Sequence, residues 1–331
     1  MKANLLALTF GISTSAAQAA ETILGVYILS RHGDRTDKRH PPTKLTKLGY
    51  GQILASGEYF RSRYISSNAT HRILGISSDE VVNSQINVVT TDDTVLMNSA
   101  QAFVQGLYPP IGTLASEKLR NGTVVGNVNG GYQLVPVHVL DNSAKNKEDT
   151  AWLQGTSGCT NAIKDSENYK SSKEFEDVKS QTEGFYHSLE SVWSDSFTSE
   201  QSDFTNAYSI YDAVNYALIH NETIPSSELL TTEAVFQLRT LADKQQWGHA
   251  FNESAPVRAI AGSTFAADVI SHLENVIESK GRNSKLAFNS THTAHSFHSS
   301  VSHSSLLSIL TFTVFQTTVP PSHSSYSPTK A

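Results

Sequence analysis

The stretch that most constrains the fold of this chain is TILGVYILSRHGDRT, at residues 22–36. Residues 23–29 are short, aliphatic and partly β-branched, which is typical of a buried parallel strand. This strand runs into a polar loop that places Arg31, His32 and Arg35 within five residues. Ligand sites of open α/β sheets lie beyond the carboxyl ends of the strands. Two guanidinium groups beside one imidazole form a natural site for phosphate or carboxylate, and an ordinary basic surface loop is the alternative.

Length and charge narrow the class of protein. The 331 residues are enough for one large α/β domain, or for a core with a smaller domain. A net charge of −6 and the absence of a Lys/Arg-rich run argue against a nucleic-acid-binding protein. Residues 1–20 combine Lys2, a short apolar stretch and Ala17-Gln18-Ala19, which is the pattern of a secretory signal peptide. We therefore expect a secreted chain, extracellular or in the cell wall, that does not span a membrane.

The remaining sequence features either agree with secretion or predict no catalytic or metal-binding role. Four sequons mark candidate glycosylation sites at Asn68, Asn121, Asn221 and Asn252. Cys159 is the only cysteine, and the sequence places no base beside it, so we expect a structural or unpaired thiol. His292, His295 and His298 lie in a low-complexity stretch without a second ligand cluster, so no metal site is predicted.

The hydrophobic periodicity divides the chain into segments of different character. Residues 21–140 form the first part of an α/β core, residues 141–248 a mainly helical cap, and residues 249–286 a return to the core. We predict strands at residues 23–29, 72–78, 85–91, 124–127 and 134–139. We predict helices from a cap at Thr43 or Thr46 to about 65, and at 95–107, 172–193, 204–220, 227–246 and 255–279. Residues 287–331 are rich in Ser, Thr and His, contain no Asp or Glu, and are predicted to be a disordered tail.

Three segments resemble those of the histidine acid phosphatases that carry an RHGxR motif. They are the loop RHGDR at 31–35, LTKLGYGQ at 45–52 and SAQAFVQGLYPP at 99–110. They resemble most closely a secreted fungal branch of that family, which is related to the phytases, and the likeness covers roughly residues 21–286. The resemblance implies an α/β fold of the phosphoglycerate-mutase and histidine-phosphatase type, in which a sheet is flanked by helices and joined to a smaller helical cap.

The resemblance also implies a chemistry. His32 would attack phosphorus and form a phosphohistidine, while Arg31 and Arg35 would hold the phosphate oxygens. The partner would be a small phosphate-ester substrate or a phytate-like one, with no metal or organic cofactor and an acidic pH optimum. No feature indicates the oligomeric state.

The chain departs from the family pattern at two positions. The third arginine of the family is missing, because Thr94 or Val95 stands in its place, and such a loss costs about 2–4 kcal/mol of transition-state stabilisation. No His-Asp pair occurs, although the family's aspartate protonates the leaving group, a step worth about 10²–10⁴ in rate. Asp34 or Asp37 is the candidate replacement, and we favour the interpretation that both are solvated loop acids.

These departures leave alternatives open. The first reading is a secreted acid phosphatase with an incomplete site. The second is a catalytically weak or inactive secreted glycoprotein that keeps the fold and an anion pocket. A transferase of the phosphoglycerate-mutase type is a more distant third. The tail also resembles the end of the same fungal branch when its codons are shifted by two bases from Phe288, so a frame shift is a further hypothesis.

Overall fold

The computed structural model describes residues 20–111, 116–126, 131–140, 159–291 and 309–318. Its centre is a five-stranded sheet with the strand order β5–β2–β6–β1–β7. The strands are β1 (Ala20–Ser30), β2 (Ile86–Thr91), β5 (His138–Leu140), β6 (Leu286–Ser290) and β7 (Ile309–Thr318). The short strands β3 (Ser116–Lys118) and β4 (Val124–Gly126) pair with each other in a separate two-stranded sheet.

The strands of the large sheet are parallel except for β7, which pairs antiparallel with β1. In the register of the sheet, Ser290 of β6 lies between Ser30 of β1 and Thr90 of β2. The carboxyl ends of β1, β6 and β2 therefore meet at one edge, where the loop with His32 begins. This arrangement confirms the predicted α/β fold and the predicted strand at residues 23–29.

Helices cover both faces of the sheet. They are α1 (Lys47–Phe60) and α2 (Thr94–Leu107) on one face and α7 (Ile260–Glu278) on the other. Val26 and Ile28 of β1 belong to the core cluster on the α1–α2 side, whereas Tyr27 and Leu29 belong to the cluster on the α7 side. Burial on both faces explains why this strand is a continuous apolar run in the sequence.

Two glycines allow α1 and α2 to approach closely. A Cβ atom on Gly57 would lie 2.9 Å from the amide nitrogen of Leu107, and one on Gly106 would lie 2.9 Å from that of Glu58. These contacts are with backbone atoms, so a side chain at either position would push the helices apart. The glycine of SAQAFVQGLYPP is thus explained by helix packing.

A second group of helices has a hydrophobic core of its own. These helices are α3 (Thr160–Lys170), α4 (Lys173–Ser188), α5 (Ala207–His220) and α6 (Thr232–Ala250). Their cluster is centred on fully buried Tyr186, Phe204 and Leu238 and is distinct from the clusters of the sheet. We call these helices the cap. Among the described helices, none combines the length and apolarity that a bilayer-spanning segment needs.

Several predicted boundaries need correction. The predicted disordered tail is wrong for residues 287–291 and 309–318, because β6 is the central, fully buried strand and β7 pairs with β1. The Ser- and His-rich composition of the tail as a whole hid the short sequence LAFNS. Residues 72–78 form no strand; a single bridge joins Ile23 to Ile73.

The limits of the predicted segments also shift. The predicted end of the cap at residue 248 falls inside α6, which continues to Ala250, and residue 20 of the predicted signal peptide already belongs to β1. Residues 1–19, the predicted start of the cap at 141, and residues 292–308 and 319–331 lie outside the described residues.

Candidate active site

His32 lies in the loop that follows β1, and its side-chain environment defines which ring nitrogen is reactive. The residue is only 9 % exposed, and its Nδ1 lies 2.7 Å from the carbonyl oxygen of Gly33. A carbonyl oxygen can only accept a hydrogen bond, so Nδ1 carries the proton in the neutral ring. The lone pair of the neutral imidazole is then on Nε2.

The start of α1 holds this loop in place. Thr46 caps α1 by accepting a hydrogen bond from the amide of Gly49 at 3.0 Å, and its hydroxyl also donates to the side chain of Asp34. The amide of Thr46 donates to the carbonyl of Asp34 at 3.0 Å, and the side chain of Gln52 accepts from the amide of Asp34 at 2.9 Å. The threonine, glycine and glutamine of LTKLGYGQ therefore all fix the histidine loop.

The second turn of α2 contacts the same loop. Ser99 Oγ accepts from the amide of Gly33 at 3.4 Å and donates to the carbonyl of Val95 at 2.8 Å. Asp93 caps α2 through its side chain, Thr94 is the first helical residue, and Val95 is 1 % exposed in the core. The place expected for a third arginine is thus taken by the first residue of α2, Thr94, and by the core residue Val95.

The two arginines of the loop have different partners. Arg31 Nε is buried and has no hydrogen-bond partner among the described residues. Arg35 forms a two-pronged ion pair with Asp212 on α5, at 3.1 Å from Nη1 and 2.9 Å from Nη2, and Nη2 also donates to the hydroxyl of Tyr208 at 3.3 Å. Burial by itself lowers the pKa of Arg35, but Asp212 and Tyr208 together outweigh burial and hold that pKa above its ordinary value.

The acids of the loop are not solvated, so that interpretation is wrong. Asp34 Oδ2 lies 2.7 Å from Nε2 of His220, the last residue of α5. Both carboxylate oxygens of Asp37 lie 3.0 Å from Nδ1 of His40. Each carboxylate is mostly buried and paired with a histidine, which a loop composition alone does not reveal.

The cap residues that touch the loop were missed in the sequence. Tyr208, Asp212 and His220 lie on one face of α5, because their numbers differ by multiples of four. This polar face was the one available signal within the predicted helix 204–220. Its partner could not be identified from the sequence, since more than 170 residues separate it from the loop.

The other predicted site residues lie away from the loop. Asn68, Asn121 and Asn221 are exposed, and Asn252 is partly buried. Cys159 is a free thiol just before α3. Within the described ranges, no group of three or more His, Cys, Asp or Glu residues could hold a metal ion. The three histidines of the tail lie outside those ranges.

The chain is similar in sequence to a known acid phosphatase and in structure to a known phytase. Lysosomal acid phosphatase of Xenopus laevis is 25 % identical over 259 residues, which are 72 % of this chain and 52 % of that protein, so the chain spans about half the length of this relative. The phytase of Citrobacter braakii superposes with a TM-score of 0.52 at 14 % identity, covering 84 % of this chain and 74 % of that one.

A second structure is equally similar. The Hafnia alvei phytase in complex with myo-inositol hexakis sulphate gives a TM-score of 0.53 at 14 % identity, covering 85 % of this chain and 75 % of that one. The family model of the histidine phosphatase superfamily (branch 2) matches residues 37–321, just after the histidine loop. The chain therefore belongs to the histidine phosphatase superfamily, branch 2.

Proposed function

We propose that the chain hydrolyses phosphate monoesters through a phosphohistidine formed on His32. The observation that carries this proposal is the 2.7 Å contact between His32 Nδ1 and the carbonyl oxygen of Gly33. That contact gives Nε2 the lone pair that an in-line attack on phosphorus requires. Membership of a family that includes acid phosphatases and the likeness to phytases support the same chemistry.

The reaction divides into two displacements. In the first, Nε2 forms a bond to phosphorus while the bond from phosphorus to the alcohol oxygen breaks, and that oxygen takes a proton from solvent as the alcohol leaves; the water that attacks in the second step returns a proton to solvent. In the second, water attacks the phosphohistidine, inorganic phosphate leaves, and the neutral imidazole returns. Arg31 Nε and Arg35 Nε are buried donors without a described partner, so each would donate to a phosphoryl oxygen and stabilise its charge.

We propose in addition that the phosphate site is incomplete. Thr94 and Val95 supply no charge where a third arginine is expected, and Asp34 and Asp37 are each bound to a histidine. Loss of one phosphate-binding donor costs about 2–4 kcal/mol of transition-state stabilisation. We therefore expect slow turnover of small phosphate monoesters or of inositol phosphates. A catalytically inactive, phosphate-binding member of the family is the second candidate, supported by the same missing groups.

One assay separates these functions. Turnover of an aryl phosphate is measured between pH 3 and 7 for the native chain, for His32→Ala and for His187→Ala, an exposed histidine of the cap. The proposal expects measurable turnover that only His32→Ala abolishes. Equal background turnover in all three proteins contradicts it, and binding of inorganic phosphate in that case would support the inactive alternative.

Secretion and the source are proposed on separate grounds. Residues 1–20 have the pattern of a signal peptide, and three sequon asparagines are exposed. The segments LTKLGYGQ and SAQAFVQGLYPP support the secreted fungal branch. Expression in a secreting yeast should yield extracellular protein whose mobility increases after glycosidase treatment. Retention inside the cell without glycans would contradict secretion, and a source genome outside the fungi would contradict the branch.

A further inference from the structure

The cap supplies a carboxylate to the second arginine of the histidine loop. Asp212 lies on α5, and its two oxygens accept from both Nη atoms of Arg35 at 3.1 and 2.9 Å. The amide of Lys38 also donates to Oδ2 of Asp212, at 2.9 Å. A planar carboxylate that receives two parallel N–H groups has the same geometry as a phosphate held by an arginine. Asp212 thus takes the position that an anionic ligand of the Arg35 fork would take.

Four of the five N–H groups of Arg35 already donate hydrogen bonds within the chain. A guanidinium carries five N–H groups, one on Nε and two on each Nη. Nη1 also donates to the carbonyl of Thr36 at 2.8 Å, and Nη2 also donates to the hydroxyl of Tyr208 at 3.3 Å. The Nε–H alone is left, buried and without a hydrogen-bond partner among the described residues. Arg35 therefore offers a phosphate one hydrogen bond where a free arginine offers a fork.

The charges around the loop give little attraction to a polyanion. Five cationic side chains lie in the loop and the segment between it and α1, at Arg31, Arg35, Lys38, Arg39 and Lys44. Six carboxylates lie on this segment, on the turn into α2 or on the facing cap, at Asp34, Asp37, Asp92, Asp93, Asp195 and Asp212. Two of the cations also face cap aromatics, because Lys38 lies over Tyr208 at 5.2 Å and Arg39 over Phe197 at 4.5 Å. Clefts attract multiply charged ligands only when one sign of charge dominates their walls.

We propose that Asp212 is a specificity-determining residue that restricts this site to esters carrying a single phosphate group. This inference rests on the proposed function, because it assumes that the histidine loop binds phosphate. One phosphate needs only Arg31 and the Nε–H of Arg35. The additional phosphates of inositol hexakisphosphate would meet carboxylates of the loop and the cap, and would find the Arg35 fork already occupied. The substrate class is therefore the small phosphate monoester, in contrast to the inositol hexakis sulphate named for the Hafnia alvei structure.

Direct binding tests this specificity without requiring turnover. Dissociation constants for inorganic phosphate and for myo-inositol hexakisphosphate are measured by calorimetry at pH 7, on the full chain. The variants are Asp212→Asn, which keeps the shape and removes the charge, and Asp177→Asn as a matched control. Asp177 is an exposed residue of α4 that pairs with Lys173, so its replacement changes the net charge by the same amount within the cap.

The inference predicts how the two dissociation constants compare in the native chain and in each variant. The native chain should bind inositol hexakisphosphate no more tightly than inorganic phosphate. Asp212→Asn should tighten binding of the hexakisphosphate about tenfold and of inorganic phosphate by less, whereas Asp177→Asn should leave both constants unchanged. A native chain that binds the hexakisphosphate tenfold or more tightly than phosphate overturns the inference, and this comparison remains decisive if Asp212→Asn fails to fold.

Two other outcomes separate this inference from the proposed function. If Asp212→Asn weakens binding of both anions, Asp212 is needed to place Arg35 and does not set specificity, so the inference fails while the phosphate site stands. If the native chain binds neither anion, the phosphate site itself is wrong, and the proposed function fails together with the inference.

Discussion

Replacing Gly49 with alanine tests how α1 holds the histidine loop. A Cβ atom at Gly49 would lie 2.7 Å from the amide nitrogen of Asp34 and still closer to its carbonyl oxygen. Both are backbone atoms of the loop, so neither can rotate away as a side chain would. Either the loop or the first turn of α1 must move to accommodate the methyl group.

The expected cost follows from the contacts that this movement breaks. Inserting a methyl group into a packed contact costs about 1–3 kcal/mol. The hydrogen bonds of Thr46 and Gln52 to the backbone of Asp34 are each worth about 1 kcal/mol when lost. Alanine gains up to about 1 kcal/mol over glycine as a helix former. We therefore expect Gly49→Ala to lower the free energy of unfolding by about 2–4 kcal/mol.

Gly51→Ala is the matched control, because Gly51 lies in the same helix and its Cβ would meet nothing within 4 Å. It should be neutral or stabilising by up to about 1 kcal/mol. Urea unfolding of the two variants measures the difference, and aryl phosphate turnover should fall in Gly49→Ala alone. Equal unfolding midpoints and equal turnover in the two variants would refute the contact between α1 and the loop.

Two further predictions concern the core and the acid stability. Phe288→Ala should lower the free energy of unfolding by about 3–5 kcal/mol, because Phe288 is fully buried and its ring centroid lies 3.8 Å from that of Phe103. Phe236→Ala, at an exposed position, should change it by less than about 0.5 kcal/mol. Equal denaturation midpoints for the two variants would contradict the central place of β6. Burial lowers the pKa of His272 below 6.5, so the unfolded chain binds the proton first and stability falls as pH drops below about 6.5. His272→Gln should reduce this acid loss relative to His187→Gln, and parallel stability curves from pH 7 to 4 would show that His272 does not contribute.

The local part of the fold was predictable from the sequence. The strand before the histidine loop, a helix at 95–107 and a cap of α1 at Thr43 or Thr46 were all predicted, since each depends on neighbouring residues, and the structure selects Thr46 as the cap. Three of the four cap helices also followed from their periodicity, within about five residues at each end, whereas α3 was not predicted. Hydrophobic spacing and capping residues act over one or two turns, which is the range that a sequence pattern can show.

The contacts between distant segments were not predictable in the same way. The pairing of β6 with β1 and β2 joins residues that are at least 200 positions apart, and the short apolar segment of β6 lies at the edge of a polar tail. The ion pair of Arg35 with Asp212 likewise joins two segments 177 residues apart. The pattern around Arg35 indicated an anion site but not that a carboxylate of the chain already occupies its fork. Such pairings depend on how the cap packs on the core, which local patterns do not encode.

The most direct test of the proposed mechanism is to trap the phosphoenzyme. The native chain and His32→Ala are mixed with an aryl phosphate, quenched within milliseconds under alkaline conditions that preserve phosphohistidine, digested and analysed by mass spectrometry. We expect a phosphoryl group on the peptide that contains residues 31–35, attached to His32 in the native chain and absent from His32→Ala. Turnover by the native chain without phosphate on His32, or with phosphate on another residue, would contradict the mechanism.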